Sequence, residues 1–136
     1  MKKLNLLLLA MLLSSCASMR YGNFTPVSQS RDIYLAQDTA SQLMRIFPPA
    51  QNTFCIGQKI SDGFGIRLIH EMRNLGYGVI ENKCSKQKAN FFYVVDEIQS
   101  SNHYRVSLYI GPQTLSRVYV KTNDTIRPVS DWTHKE

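Results

Sequence analysis

The sequence predicts a small α+β domain, with two helices packed on a mainly antiparallel sheet of about four to five strands in the order α-β-α-β-β-β-β. Three observations carry that expectation. Apolar residues recur at three- and four-residue spacing in two stretches, residues 30–47 and 64–75, as a helix with one buried face requires. Three later runs, residues 91–98, 104–110 and 115–121, are rich in aromatic and β-branched residues and are joined by short turns, which makes an antiparallel meander. A β-α-β segment precedes that meander.

Taken in order, the first helix spans Ser30 to Phe47, with Ile33, Ala36, Ala40, Leu43, Met44 and Phe47 as its apolar face, and Pro48 and Pro49 end it. Residues 53–58 form a short strand. Ser61 then caps a second helix whose buried stripe is Phe64, Leu68, Ile69, Met72 and Leu75, despite Gly63 and Gly65 near its start. Gly76 closes it, where a left-handed residue is wanted. Residues 77–81 are a strand, and Lys83 to Lys88 a solvated polar connection. Along residues 104–110, Tyr104, Val106, Leu108 and Ile110 face one way, and Arg105, Ser107 and Tyr109 the other. Ser100-Ser101-Asn102 and Gly111-Pro112-Gln113 supply the turns.

The domain so defined covers residues 30–122. Ahead of it, residues 16–29 are dominated by Ser18, Gly22, Asn23, Thr25, Pro26 and Ser28, the composition of an extended, solvated tether. Its two aromatics, Tyr21 and Phe24, either pack back on the domain or dock into a partner. Residues 123–136 read as a C-terminal tail that packs or docks through Trp132, the one tryptophan.

Residues 1–15 have the layout of a secretory signal: Lys2 and Lys3, an apolar run from Leu4 to Leu13, then Ser14 and Ser15. A run of about 10 residues falls well short of the roughly 20 that cross a bilayer as a helix. Leu13-Ser14-Ser15-Cys16 matches a bacterial lipobox, so Cys16 is expected to carry a diacylglycerol and an N-acyl chain. Each buried methylene contributes about 0.8 kcal/mol, and two or three chains on one residue make a firm anchor. Ala17 and Ser18 follow the cysteine, with no Asp to retain the protein at the inner membrane. The expected location is therefore the outer membrane, with the domain in the periplasm.

Removal of residues 1–15 from the 136-residue chain leaves 121, enough for one ordinary domain. The formal charge of +6 includes Lys2 and Lys3, so the remaining excess is four. It is scattered, apart from Lys83, Lys86 and Lys88, and no basic stripe with interleaved aromatics suggests direct nucleic-acid binding. With Cys16 acylated, Cys55 and Cys84 remain as an even pair in a compartment where disulfides form. Spacing alone leaves two readings open: a bridge closing about 30 residues, stabilising by roughly 3 to 4 kcal/mol, or a buried Cys55 with Cys84 free on a loop.

Catalytic patterns fail one by one. His70-Glu71 lacks a second histidine four residues after the first, so the zinc-protease pattern is absent. His70, His103 and His134 lie on different elements, and no Cys or His spacing fits a metal site. Asp62-Gly63-Phe64-Gly65 lacks the partners of a phosphate loop and reads as a helix start. Asp96 and Glu97 are strand neighbours and point to opposite faces. The expectation is a protein without catalytic residues, cofactor or small-molecule substrate.

The lipobox, Tyr21-Gly22-Asn23-Phe24, Phe47-Pro48-Pro49-Ala50, Asp62-Gly63-Phe64-Gly65, Gly76-Tyr77, Tyr104-Arg105-Val106, Leu115-Ser116-Arg117-Val118-Tyr119 and the Trp132 segment resemble, in that order, the TrbH lipoproteins of conjugative plasmids. The resemblance runs along nearly the whole chain. It implies an outer-membrane lipoprotein acting in mating-pair formation, a structural or assembly component of the type IV secretion apparatus whose partners are other channel subunits. This sequence departs from the family pattern at Cys55, Cys84 and the lysine-rich loop. The contact candidates are the aromatics outside the expected core, Tyr21, Phe24 and Trp132, with Arg117 and Tyr119 on an exposed face of the last strand, whose free edge would suit strand pairing. Two other functions compete: a pilotin-like escort of an outer-membrane ring subunit, and a peptidoglycan-acting envelope enzyme, which would need a carboxylate pair or a metal site.

Overall fold

The computed structural model describes residues 20–136, so the expected signal and Cys16 lie outside the described residues. Helix α1 (Gln29–Ile46) buries Arg31, Asp32, Leu35, Ala36, Thr39, Ala40 and Leu43. This corrects the face read from spacing, because Met44 is 45 % exposed and Ile33 only half-buried, while Leu35 is fully enclosed. The physical reason is a pair of charges: Arg31 and Asp32 are ion-paired at 3.0 Å and go inside together, which turns Leu35 inward with them. Helix α2 (Gly63–Asn74) buries Phe64, Leu68, Ile69 and Met72 as expected. Its cap is Asp62 and not Ser61, since the Asp62 carboxylate accepts from Gly65 N at 2.9 Å. Gly76 follows with a positive φ of 96°.

Strands β2 (Thr53–Cys55) and β3 (Gly78–Ile80) are parallel, joined through α2. The meander follows: β4 (Phe91–Glu97), β5 (His103–Ile110) and β6 (Gln113–Thr122), all antiparallel. Gln99, Ser100 and Asn102 take positive φ in the first turn and Gly111 in the second. Phe91, Tyr93, Val95, Val106, Leu108, Leu115 and Tyr119 are all enclosed on the side that carries the helices. Burial of a large apolar side chain contributes about 1.5–3 kcal/mol, so this face, with the stripes of α1 and α2, is the main source of stability.

Three short strands were not legible in the sequence. β1 (Gly22–Asn23) runs parallel to β4, with Gly22 opposite Val94 and Asn23 opposite Val95. Within the described residues, the expected tether is thus part of the sheet from Gly22 onward, and Gly22 takes a φ of 140° that other residues rarely adopt. The expected tail is likewise folded: β7 (Thr125–Pro128) and β8 (Thr133–Lys135) pair antiparallel with successive halves of β6. Ile126 and Trp132 are partly buried against the core, which holds both strands down. The result is a six-stranded mixed sheet beside the β2–β3 pair.

Candidate interaction surface

Both edges of the meander are closed by backbone. On β4, Ile56 bridges Phe91, Gly57 N donates to Phe91 O at 3.0 Å, and the side-chain Oε1 of Gln58 accepts from Tyr93 N at 2.7 Å. β1 then covers Val94 and Val95, and Phe24 N donates to Val95 O at 2.8 Å. On β6, β8 covers Thr114 to Ser116 and β7 covers Tyr119 to Thr122. Between them Val129 N donates to Val118 O at 3.0 Å, and Val118 N donates to Ser130 Oγ at 3.1 Å. The free edge expected on β6 does not exist, because the chain that follows β6 occupies it.

The helix side of the sheet is locked by polar contacts. Asp38 on α1 accepts from Tyr119 Oη at 2.6 Å and from Arg117 Nη1 at 2.9 Å, and Arg117 Nε donates to Ser130 O at 2.9 Å. Burial first, and then the bond to the Asp38 carboxylate, push the Tyr119 phenol far above its ordinary range. The placement of Arg117 and Tyr119 on an exposed face is therefore overturned. Alternation puts them on the same side as enclosed Leu115, under α1.

Two neighbouring polar groups follow, one joining the start of α1 to β5 and one joining α2 to β4. Arg31 donates to Asp32 Oδ1 and to Pro26 O (2.6 Å), and its guanidinium lies 4.8 Å over the Tyr104 ring. Burial pushes the Asp32 carboxyl up, and Arg31 partly offsets this. Asp62 uses its second oxygen to accept from Tyr93 Oη, whose phenol is raised by burial and by that carboxylate. Asp32 and Asp62 border a cleft of about 580 Å3 between the helix starts, with Val27, Ile33 and Ile66 as its apolar lining. One oxygen of Asp62 caps the helix and the other holds Tyr93, so this carboxylate braces the fold. Among the described residues, no group of three or more His, Cys, Asp or Glu is placed to hold a metal.

Among the described residues, no helix lies on the opposite face of the sheet. Strand alternation brings Phe92, Val94, Tyr109, Val118 and Val120 there, with Ser107 and Ser116 facing each other at 3.3 Å in the middle. Val129 extends the patch and is 47 % exposed. Tyr21 stacks on Phe92 (ring centroids 4.3 Å) and meets Tyr109 edge-on at 5.6 Å. Its polar members are the Asp96–Arg105 ion pair, whose hydrogen bonds raise the guanidinium further, with His103, Thr114, Arg127 and Lys135 toward the borders of the face. Asp96 and Glu97 diverge as expected.

The five aromatic and basic candidates do not form one patch. Tyr21 joins the open face, Phe24 stands 55 % exposed beside the β1 edge, Trp132 is partly buried, and Arg117 and Tyr119 lie under α1. The half-buried residues of the open face were missed, although their signal was available as the positions alternating with the buried ones in β4 to β6. Cys55 and Cys84 are joined in a disulfide, with their Cα atoms 5.8 Å apart, which decides between the two readings of that pair.

No helix among the described residues is long and apolar enough to cross a membrane. No curated protein and no solved structure matches the chain. The family model described as conjugal transfer protein TrbH matches residues 18–136, and the chain therefore belongs to the TrbH family, whose members take part in conjugal transfer.

Proposed function

We propose that this protein is a lipid-anchored structural subunit of a conjugative type IV secretion apparatus, held at the outer membrane through Cys16 and joined to other channel subunits through the open face of its sheet. The observation that carries the reading is that open face. Among the described residues no layer covers one side of the sheet, which carries Phe92, Val94, Tyr109, Val118, Val120 and exposed Val129. An antiparallel sheet tolerates water on one face when that face is polar, whereas apolar side chains gathered there gain from a covering partner. With the long edges of β4 and β6 covered and only the two- to four-residue strands β1, β7 and β8 left at the rim, face-to-face docking is the natural mode.

The carboxylates near the cleft are used as braces, which supports a part in assembly over one in peptidoglycan cleavage. The test is purification of the full-length protein from outer membranes of mating-competent cells, with the mass of the Cys16 peptide and of the co-purifying subunits determined. The expected result is an acylated Cys16 and stoichiometric recovery with the channel. Val120→Glu with Val129→Glu is expected to abolish that recovery while leaving acylation intact. Equal recovery of this variant would overturn the open face as the docking surface, and sub-stoichiometric, transient recovery of the parent would point to an escort.

A further inference from the structure

One end of the sheet collects the chain's exit toward Cys16 and a set of cations. Because β1 is parallel to β4, stepping back from Gly22 moves toward the start of β4, and Tyr21 accordingly lies on Phe92 and Tyr109. Arg20 is therefore at the end where β4 begins and β5 ends. The loop carrying Lys83, Lys86 and Lys88 leads straight into β4 at that end. It is pinned there twice, by the Cys55–Cys84 disulfide and by Asn90 N donating to Cys55 O at 3.0 Å. Lys135, opposite Thr114 on β6, is at the same end.

All five cations are exposed, and none is in an ion pair among the described residues. The neighbouring anions are Glu136 and Glu81, and Glu81 is already neutralised by Arg73 at 2.8 Å. The turns at the far end, residues 98–102 and 122–125, contain Asp124 and no lysine or arginine. The cations toward that end are the single Lys121 and Arg127 on β6 and β7 and the Asp96-paired Arg105. The domain thus has a basic end and a far end whose turns carry no basic residue.

The distance to the anchor decides what that end meets. From Cys16 to Tyr21 is five residue steps, at most about 18 Å of fully extended chain, against about 45 Å for a tether running to Gln29. A domain held so closely meets the bilayer with the end from which the chain leaves. Exposed lysines within a Debye length, about 10 Å at ~0.1 M salt, are attracted to an anionic surface.

We propose that the basic end, formed by Arg20, the disulfide-pinned Lys83–Lys88 loop and Lys135, rests on the headgroups of anionic phospholipids in the membrane that holds Cys16. The inference builds on the anchored reading above, because the short span from Cys16 is what selects this end. It also orients the domain: the sheet stands with its strands rising from the membrane and its open face turned sideways, toward neighbouring subunits.

The test separates the surface from the anchor. The chain lacking residues 1–15 and carrying Cys16→Ser, which has no acyl group, is sedimented with vesicles of equal parts phosphatidylethanolamine and phosphatidylglycerol, and with phosphatidylcholine vesicles. Binding to the anionic vesicles alone, lost as salt is raised, is expected. Lys83→Gln with Lys86→Gln and Lys88→Gln is expected to weaken it by on the order of a hundredfold, whereas Arg127→Gln, toward the far end, leaves it unchanged. Equal binding to both vesicle types, unchanged binding of the triple variant, or equal weakening by Arg127→Gln would each overturn the proposal. None of these outcomes bears on acylation, which the mass of the Cys16 peptide reports separately.

Discussion

The phenol of Tyr119, fully enclosed on β6, donates its hydrogen to Asp38 on α1 at 2.6 Å, and this bond couples the first helix to the far side of the sheet. The same carboxylate takes Arg117, so the two partners are not equivalent. Tyr119→Phe leaves Asp38 paired with Arg117 and is expected to cost about 1 kcal/mol. Asp38→Ala strands a buried hydroxyl and frees Arg117, and is expected to cost about 2 to 3 kcal/mol. Urea unfolding of both variants checks the order; a larger loss for Tyr119→Phe would contradict this division of roles.

Alkaline pH should weaken the fold through its buried phenols, Tyr93 and Tyr119 above all and Tyr77 with them. Tyr93 and Tyr119 are both raised above their ordinary value of 10.0, chiefly by burial. Above about pH 10 the unfolded chain releases these protons and the folded chain keeps them, so the folded state binds more protons and stability falls as pH rises. Each group is expected to add about 1.4 kcal/mol per pH unit to the slope. Urea midpoints between about pH 9 and 11 measure it, and Tyr93→Phe should reduce the slope by roughly a third to a half, since buried Tyr77 is raised as well.

The Cys55–Cys84 bridge spans 29 residues of sequence that include α2 and β3. Replacing both cysteines by alanine is expected to cost about 3 to 4 kcal/mol, with the secondary structure retained at low temperature. Thermal unfolding with and without a reductant gives the comparison: the reductant should lower the midpoint of the parent and leave the variant unmoved.

Gly65 sits on α2 where a Cβ would overlap Tyr93 Oη and press on Ile60 at 3.2 Å. Alanine normally favours a helix over glycine by about 1 kcal/mol. Here the buried Tyr93 ring is held by Asp62 and cannot yield, so Gly65→Ala is expected to destabilise by about 2 kcal/mol or more. A melting temperature equal to or above that of the parent would show that the ring moves.

Removal of residues 123–136 takes away both strands that close β6. An exposed edge ten residues long is a template for pairing between chains. The truncated protein is expected to elute as aggregates from size exclusion, where the full chain runs as a discrete species.

The legible parts of the fold were those with a long, single period. The α2 stripe from Phe64 to Leu75 and the alternation of β5 follow directly from residue order, because each spans enough turns or pleats to show its buried side. α1 misled because two of its buried residues, Arg31 and Asp32, are charged, and their mutual neutralisation is invisible to a count of apolar positions. β1, β7 and β8, of two, four and three residues, are too short to carry a period and exist by pairing with β4 and β6. The Asp38 lock joins residues 79 and 81 positions apart, a juxtaposition that only the fold creates.

With both long rims of the meander already occupied by its own backbone, the borders left to a second molecule are the two-, four- and three-residue strands β1, β7 and β8, too short to template more than a few backbone bonds. A ring or stack built from this subunit then gains most of its cement from side chains on broad surfaces, where substitutions alter affinity by increments and neighbours can separate without unfolding.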